Sequence, residues 1–225
     1  MKRIINSFLF LVLAFSATAQ TTDEVVKAYI DATGGAANIA TIKTIKMSGA
    51  LSVQGIDVAI TITGSQGVGY RTDISVPGLG DGFQIYTPTK GWSYMPFQGQ
   101  TSVEEMSAEQ LKAGAGQVDI QGPLFNYKEK GNKVELLGKE TIDGVECYKL
   151  KIEVAGGSKQ TTLYLDTKTY YRVKYVNGDV EIFYSNYKKT ADGLYYPFTM
   201  TTPNGTIEFS SVELNQPVDP TLFKG

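Results

Sequence analysis

The sequence predicts a mainly β (α+β) protein: a single curved antiparallel sheet forming an open half-barrel, capped by two or three short helices. Three observations predict it. Turn dipeptides recur at short intervals (Gln54-Gly55, Asp143-Gly144, Gly156-Gly157, Asn177-Gly178, Asp192-Gly193 and Asn204-Gly205), each between runs rich in β-branched or aromatic residues. Such pairs supply the positive φ that tight hairpins need, so consecutive antiparallel strands follow. Several runs alternate with period two, which makes a sheet wet on one face and covered on the other. Helical signals are few.

Residues 1–19 are read as a cleaved secretory leader. Lys2 and Arg3 precede an apolar run from Ile4 to Phe15, and Ala17 and Ala19 put small residues where a signal peptidase needs them. The run is shorter than the ~20 residues of a membrane span. Gln20, and no Cys, follows the cleavage point, so no lipoprotein thioether is expected there. Residues 20–225 are expected to form one domain, because no linker-like Pro/Ser run, charge block or fixed-period repeat divides them. Thr21 with Glu24 makes a capping box ahead of Val25, Val26, Tyr29 and Ile30, and Gly34-Gly35 ends that helix.

Strands are expected at 44–53, 56–64, 68–75, 83–87, 91–95, 133–142, 145–154, 160–166, 170–177, 180–188, 194–202 and 206–214. In the first, Ile45, Met47, Leu51 and Val53 alternate with Lys46, Ser48 and Ser52; in the second, Ile56, Val58, Ile60 and Ile62 alternate with Asp57, Thr61 and Thr63. Tyr148, Leu150, Ile152 and Val154 repeat the pattern later. The irregular stretch 96–132 reads as a helical flap, with a weak helix over 103–116 and a short turn opened by Pro123. About twelve strands at ~4.8 Å spacing make a sheet over ~50 Å wide, more than twice what two helices of ~10 Å diameter can cover. Such a sheet has to curl, and its interior is either packed with side chains or left as an apolar cavity.

Absences limit the chemistry. The chain has no His and a single Cys, Cys147, which removes His-dependent nucleophile systems, His-containing zinc sites, haem–His ligation and any intramolecular disulfide. No metal site, cofactor or catalytic residue is expected. Asp57, Asp73, Glu181 and Glu208 lie on predicted strands, but no spacing singles out a carboxylate pair for hydrolysis. Loss of Lys2 and Arg3 with the leader takes the formal net charge from −2 to −4, and no basic tract suggests nucleic acid.

Four segments carry a resemblance: AYIDATGGAANIATIKTIKMSG (28–49), GWSYMPFQG (91–99), the flap EEMSAEQLKAGAGQVDIQGPLFNYKEKGNKVELLGKETIDG (104–144) and VELNQPVDPTLF (212–223). Together they resemble the periplasmic outer-membrane lipoprotein-sorting proteins of the LolA/LolB-like superfamily. The resemblance implies a soluble periplasmic monomer that shelters the acyl chains of a lipoprotein, or another lipid, in an apolar half-barrel. Its implied partners are an inner-membrane release machinery and an outer-membrane acceptor. It also implies an Arg at the barrel mouth that latches the helical lid; Arg71 and Arg172 are the two arginines after the leader, and Arg71 is the candidate. The expected ligand-facing residues are Met47, Leu51, Ile60, Ile62, Ile85, Trp92, Tyr94, Met106, Leu111 and Phe183. Each would serve equally in a filled core, so a non-enzymatic periplasmic scaffold with a solid interior and a carboxylate-based hydrolase stay open as alternatives.

Overall fold

The alternating segments pair into one antiparallel sheet of 13 strands in the computed structural model, which describes residues 20–53, 55–157 and 160–225. The strands are β1 (Thr44–Val53), β2 (Ile56–Ser65), β3 (Gly69–Val76), β4 (Gly80–Tyr86), β5 (Gly91–Tyr94), β6 (Glu104–Glu105), β7 (Lys133–Ile142), β8 (Val145–Glu153), β9 (Gln160–Asp166), β10 (Arg172–Asn177), β11 (Val180–Lys189), β12 (Tyr195–Thr202) and β13 (Gly205–Leu214). Their order across the sheet is β6-β5-β4-β3-β2-β1-β13-β12-β11-β10-β9-β8-β7. Two meanders therefore meet along a β1–β13 seam, where the first strand pairs with the last. Hairpin chemistry accounts for the turns: Asp143 and Gly144 both have positive φ (48° and 83°), the requirement of a two-residue I′ turn.

The sheet curls as its width demands. Ile45 of β1 shares a buried cluster with Leu150 of β8 and Leu163 of β9, strands that lie six and five places away in the sheet order. In a flat sheet those strands would be ~24–29 Å apart, beyond any side-chain contact. Helix α1 (Thr22–Ala32) lies inside the curl. Its N-terminus forms the reciprocal Thr21–Glu24 capping box, and Val25, Val26 and Ile30 join the cluster that holds Leu150 and Leu165. The Leu136 backbone N–H donates to the Thr22 hydroxyl, which ties the helix to β7. A short helix α2 (Ala36–Ala40), without a sequence expectation, follows Gly34 and Gly35, and buries Ile39. Gly34 is required where it is: with φ of 127°, a Cβ there would also lie 2.7 Å from the Leu194 side chain.

Between β6 and β7 the chain crosses from one edge of the sheet to the other. The expected helix over 103–116 is shorter in the structure. Glu104 and Glu105 pair with β5 instead, helix α3 is confined to Ala108–Ala113, and a 3-10 turn follows at Ala115–Val118. Gly114 ends α3 against the Tyr86 ring, where a Cβ would lie 2.1 Å from the ring edge. The stretch after Pro123 is turn rather than helix, with Asn126 at φ 48°. On the other face of the sheet the C-terminal segment packs against β3: Phe223 is buried against Gly69, and the Leu222 carbonyl accepts a 3.1 Å hydrogen bond from Arg71.

The seam has little slack. The β1–β13 register shifts between Ser48 and Gly49, and a Cβ on Gly49 would lie 2.4 Å from the Glu208 carbonyl oxygen. Because the obstacle is backbone, Gly49→Val should destabilise the protein by about 1–3 kcal/mol. Thermal unfolding followed by circular dichroism should show Tm lowered by about 2–4 °C for each kcal/mol.

Candidate functional site

The concave side is not completely filled. A cavity of about 290 Å³ remains between the sheet and the flap. Ile45 and Met47 of β1, Ile62 of β2 and Tyr70 of β3 line one wall, Ile152 of β8 and Leu163 of β9 the other, and Ile120 with Leu124 of the flap roofs it. Directly paired antiparallel residues share a face, and the pairing Met47–Ile62 puts both side chains on the concave side. A second apolar cluster, Leu51, Val58, Ile60, Ile207 and Phe209, continues that face along β1, β2 and β13.

Close approach and charge hold the flap over this space. Gly64 of β2 sits beneath Ile120, where a Cβ would lie 2.6 Å from the Ile120 side chain, so glycine lets the roof come down onto the strand. Asp119 anchors the segment: it accepts from Lys130 Nζ at 2.7 Å and from Gln66 Nε2 at 3.0 Å, and both members of the ion pair are largely shielded from solvent. The Gly67 N–H donates to the Val118 carbonyl at 3.0 Å, a backbone tie between the flap and the β2–β3 turn.

Arg172 supplies a cation to this apolar wall. A β-bulge between Arg172 and Lys174 places it: Arg172 pairs with Leu165 and Lys174 with Tyr164, while Val173 joins the cluster of Cys147 and Tyr164 on the opposite face. Bulges re-aim side chains in this way, and here Arg172 and Tyr175 both reach the cavity. The guanidinium carbon lies 4.6 Å from the centroid of the Tyr184 ring, a cation–π distance. Tyr29, Tyr175 and Tyr184 share the lining, and Tyr187 and Tyr196 join Arg172 around a smaller adjoining space of about 70 Å³. Burial pushes the phenols of Tyr70, Tyr175, Tyr184, Tyr187 and Tyr196 above their ordinary value, so they stay neutral near physiological pH. Among the described residues no Asp or Glu forms an ion pair with Arg172, and Asp119, the carboxylate in the cavity lining, is taken by Lys130.

A curled antiparallel sheet with a helix inside and a flap across its mouth has known counterparts. The chain superposes on a LolA superfamily protein from Nitrosomonas europaea with a TM-score of 0.59 at 12% identity, covering 92% of this chain and 99% of the other. The fold is LolA-like. A DUF1329 family protein from Desulfovibrio piger matches with the same TM-score of 0.59 and 12% identity, over 92% of this chain and 98% of its own. No protein-family model and no curated protein matches the sequence.

Within this LolA-like sheet the ligand-facing residues expected from sequence fall into separate places. Met47 and Ile62 line the cavity, and Leu51 and Ile60 extend the same apolar face. Ile85, Trp92 and Tyr94 lie on the other face: Ile85 pairs with Arg71 and Trp92, and Tyr94 pairs with Phe83. Phe183 packs with Cys147 and Tyr164, also on that outer face. Met106 rests against Gly91, and Leu111 borders a separate recess of about 300 Å³ beside α3 with Thr87 and Pro88. Arg71 is held on the outer face by Asp73 at 2.7 Å, by the Leu222 carbonyl and by the Phe83 ring. Arg172, Tyr29, Tyr70, Tyr175, Tyr184 and Ile120 were not expected at the site. The one available signal was an arginine set among tyrosines in Tyr170-Tyr171-Arg172-Val173-Lys174-Tyr175, where strict alternation fails. Cys147 is fully buried, and desolvation pushes its thiol up to about 11, which leaves it unreactive.

Cutting the Asp119 anchor tests the flap directly. Asp119→Ala removes the acceptor of Gln66 and leaves Lys130 with only the Gly122 carbonyl, and should cost about 1–3 kcal/mol. Limited proteolysis should then cut within 114–126 well before the strands are attacked, while wild type resists cleavage there.

Proposed function

We infer that this LolA-like protein is a non-enzymatic periplasmic carrier or binding protein that shelters an acyl chain, from a lipoprotein or another lipid, beneath its flap. The observation that carries the reading is the apolar cavity between the concave sheet and Ile120. At ~30 Å³ for each water-sized group, about 290 Å³ holds roughly ten methylenes, most of one medium-length chain. Each methylene removed from water contributes ~0.8 kcal/mol, so a filled cavity gains about 8 kcal/mol before the costs of association. A lipid with several long chains would require the part of the flap before Leu124 to lift, since Leu124 and Phe125 are anchored in the core. Cargo handed on in this way would come from an inner-membrane donor and pass to an outer-membrane acceptor. The leader-like residues 1–19 lie outside the described structure and support export, with 20–225 as the working lipid-binding domain. Among the described residues no helix is long and apolar enough to cross a membrane, and no group of three or more His, Cys, Asp or Glu could hold a metal ion.

Mass spectrometry of an organic extract from natively purified protein should find stoichiometric acyl species. Ile62→Asp, which buries an unpaired carboxylate where the chain would lie, should abolish that recovery and the binding of a fluorescent fatty-acid probe. A clean extract together with no probe binding by wild type would leave a scaffold with an unused interior.

A further inference from the structure

Resting on that carrier reading, we propose that the ligand is an anionic amphiphile, with its apolar chain in the larger chamber and a carboxylate or phosphate head held by Arg172 and the surrounding tyrosine hydroxyls. A passive greasy pocket has no use for a guanidinium. Arg172 is half-buried, lines both the 290 Å³ chamber and the adjoining 70 Å³ space, and therefore sits between the two. Guanidinium is charged at every pH the protein meets, and a cation withdrawn from water without an anion is costly. The groups facing it give no fixed counter-charge. Tyr29 comes from α1, Tyr175 from its own strand, Tyr184 and Tyr187 from β11, and Tyr196 from β12, all phenols; Asp119 of the flap is engaged by Lys130. The Tyr187 hydroxyl already donates to the Arg172 carbonyl at 3.1 Å, and the other phenol hydroxyls can donate to an anion beside the guanidinium fork, which matches carboxylate and phosphate geometry. The two chambers also differ in size as a tail and a head do: roughly ten methylene-sized groups against about two.

The strand places this cation by design of the backbone rather than by chance. Without the bulge, strict alternation from Tyr175 inward would turn residue 173 to the cavity and Arg172 outward; the extra residue reverses this. Val173 takes the outer face instead, within the cluster of Cys147 and Tyr164.

The test uses delipidated full-length protein, near neutral pH, and three probes of matched chain length: decanoate, decyl phosphate and neutral 1-decanol, each competed against a fluorescent fatty acid. Decanoate or decyl phosphate should bind at least about tenfold more tightly than decanol, as a charge-assisted hydrogen bond predicts. Whichever anion binds better identifies the head group. Arg172→Gln should remove the preference, read as the ratio of anion to decanol affinity within the same variant, and Arg172→Lys should restore part of it. Equal affinity of wild type for decanol and both anions overturns the proposal while leaving the carrier reading intact, and this comparison needs no variant to fold. Failure of all three probes to bind overturns both.

Discussion

An antiparallel sheet that is apolar on one face must keep that face from water, and among the described residues there are 13 strands of such a sheet with three short helices to help. Laid flat, the strands would span ~60 Å, several times the width of α1. The face is buried largely by the sheet itself. Curling brings β1 against the side chains of β8 and β9, and the β1–β13 seam makes the curl continuous by pairing the ends of the chain. Everything else is placed by that closure. The crossing from β6 to β7 must pass over the mouth because the two strands are opposite edges of one sheet, so the flap is a topological consequence before it is a functional element.

A single crossing segment does not fill the space it spans: a cavity survives under Ile120 and beside Tyr29, while Val25, Val26 and Ile30 of α1 are packed against the sheet. The flap and the strands are bound in different ways. Strands are held by continuous ladders and by leucines and isoleucines without measurable exposure. In the flap, Leu124 and Phe125 are buried in the same core cluster, whereas 114–121 is held by Asp119, by the Gly64 and Gly114 contacts, by Gln121 on the Ala40 and Ile42 carbonyls and by a backbone tie to Gly67. Lifting 114–121 alone leaves Leu124, Phe125 and the sheet core in place, which is the energetic condition for admitting a long guest. The proposed gain from burying a chain is larger than the cost of breaking one partly shielded ion pair.

Much of the fold was legible because its signals are local. The Thr21–Glu24 box, the alternation in Ile45 to Val53 and the Asp143-Gly144 turn each act within a few residues, and β1, β7 and β9 have the bounds their patterns predict. The site was less legible because it depends on which face of a strand is the inside. In β4 and β5 both faces carry large apolar residues, since Phe223 and its neighbours approach the outer side, and alternation alone cannot tell Tyr86 from Ile85. The bulge in β10 defeats the period-two rule outright: it puts Arg172 and Tyr175, an odd number of residues apart, on one face. The helix expected over 103–116 starts only at Ala108, behind a local Ser107–Gln110 capping box, because Glu104 and Glu105 pair with β5, and it ends at Gly114 against Tyr86.

The central claim is that the apolar space under the flap, and no other part of the molecule, receives an acyl chain. Intermolecular NOEs from bound decanoate to ¹³C-labelled isoleucine and leucine methyl groups measure this most directly. The account predicts contacts from the chain to Ile62, Ile120, Ile152 and Leu163, and none to Ile85 on the outer face. Contacts confined to Ile85 or to the recess at Leu111, with the cavity methyls silent, would contradict it.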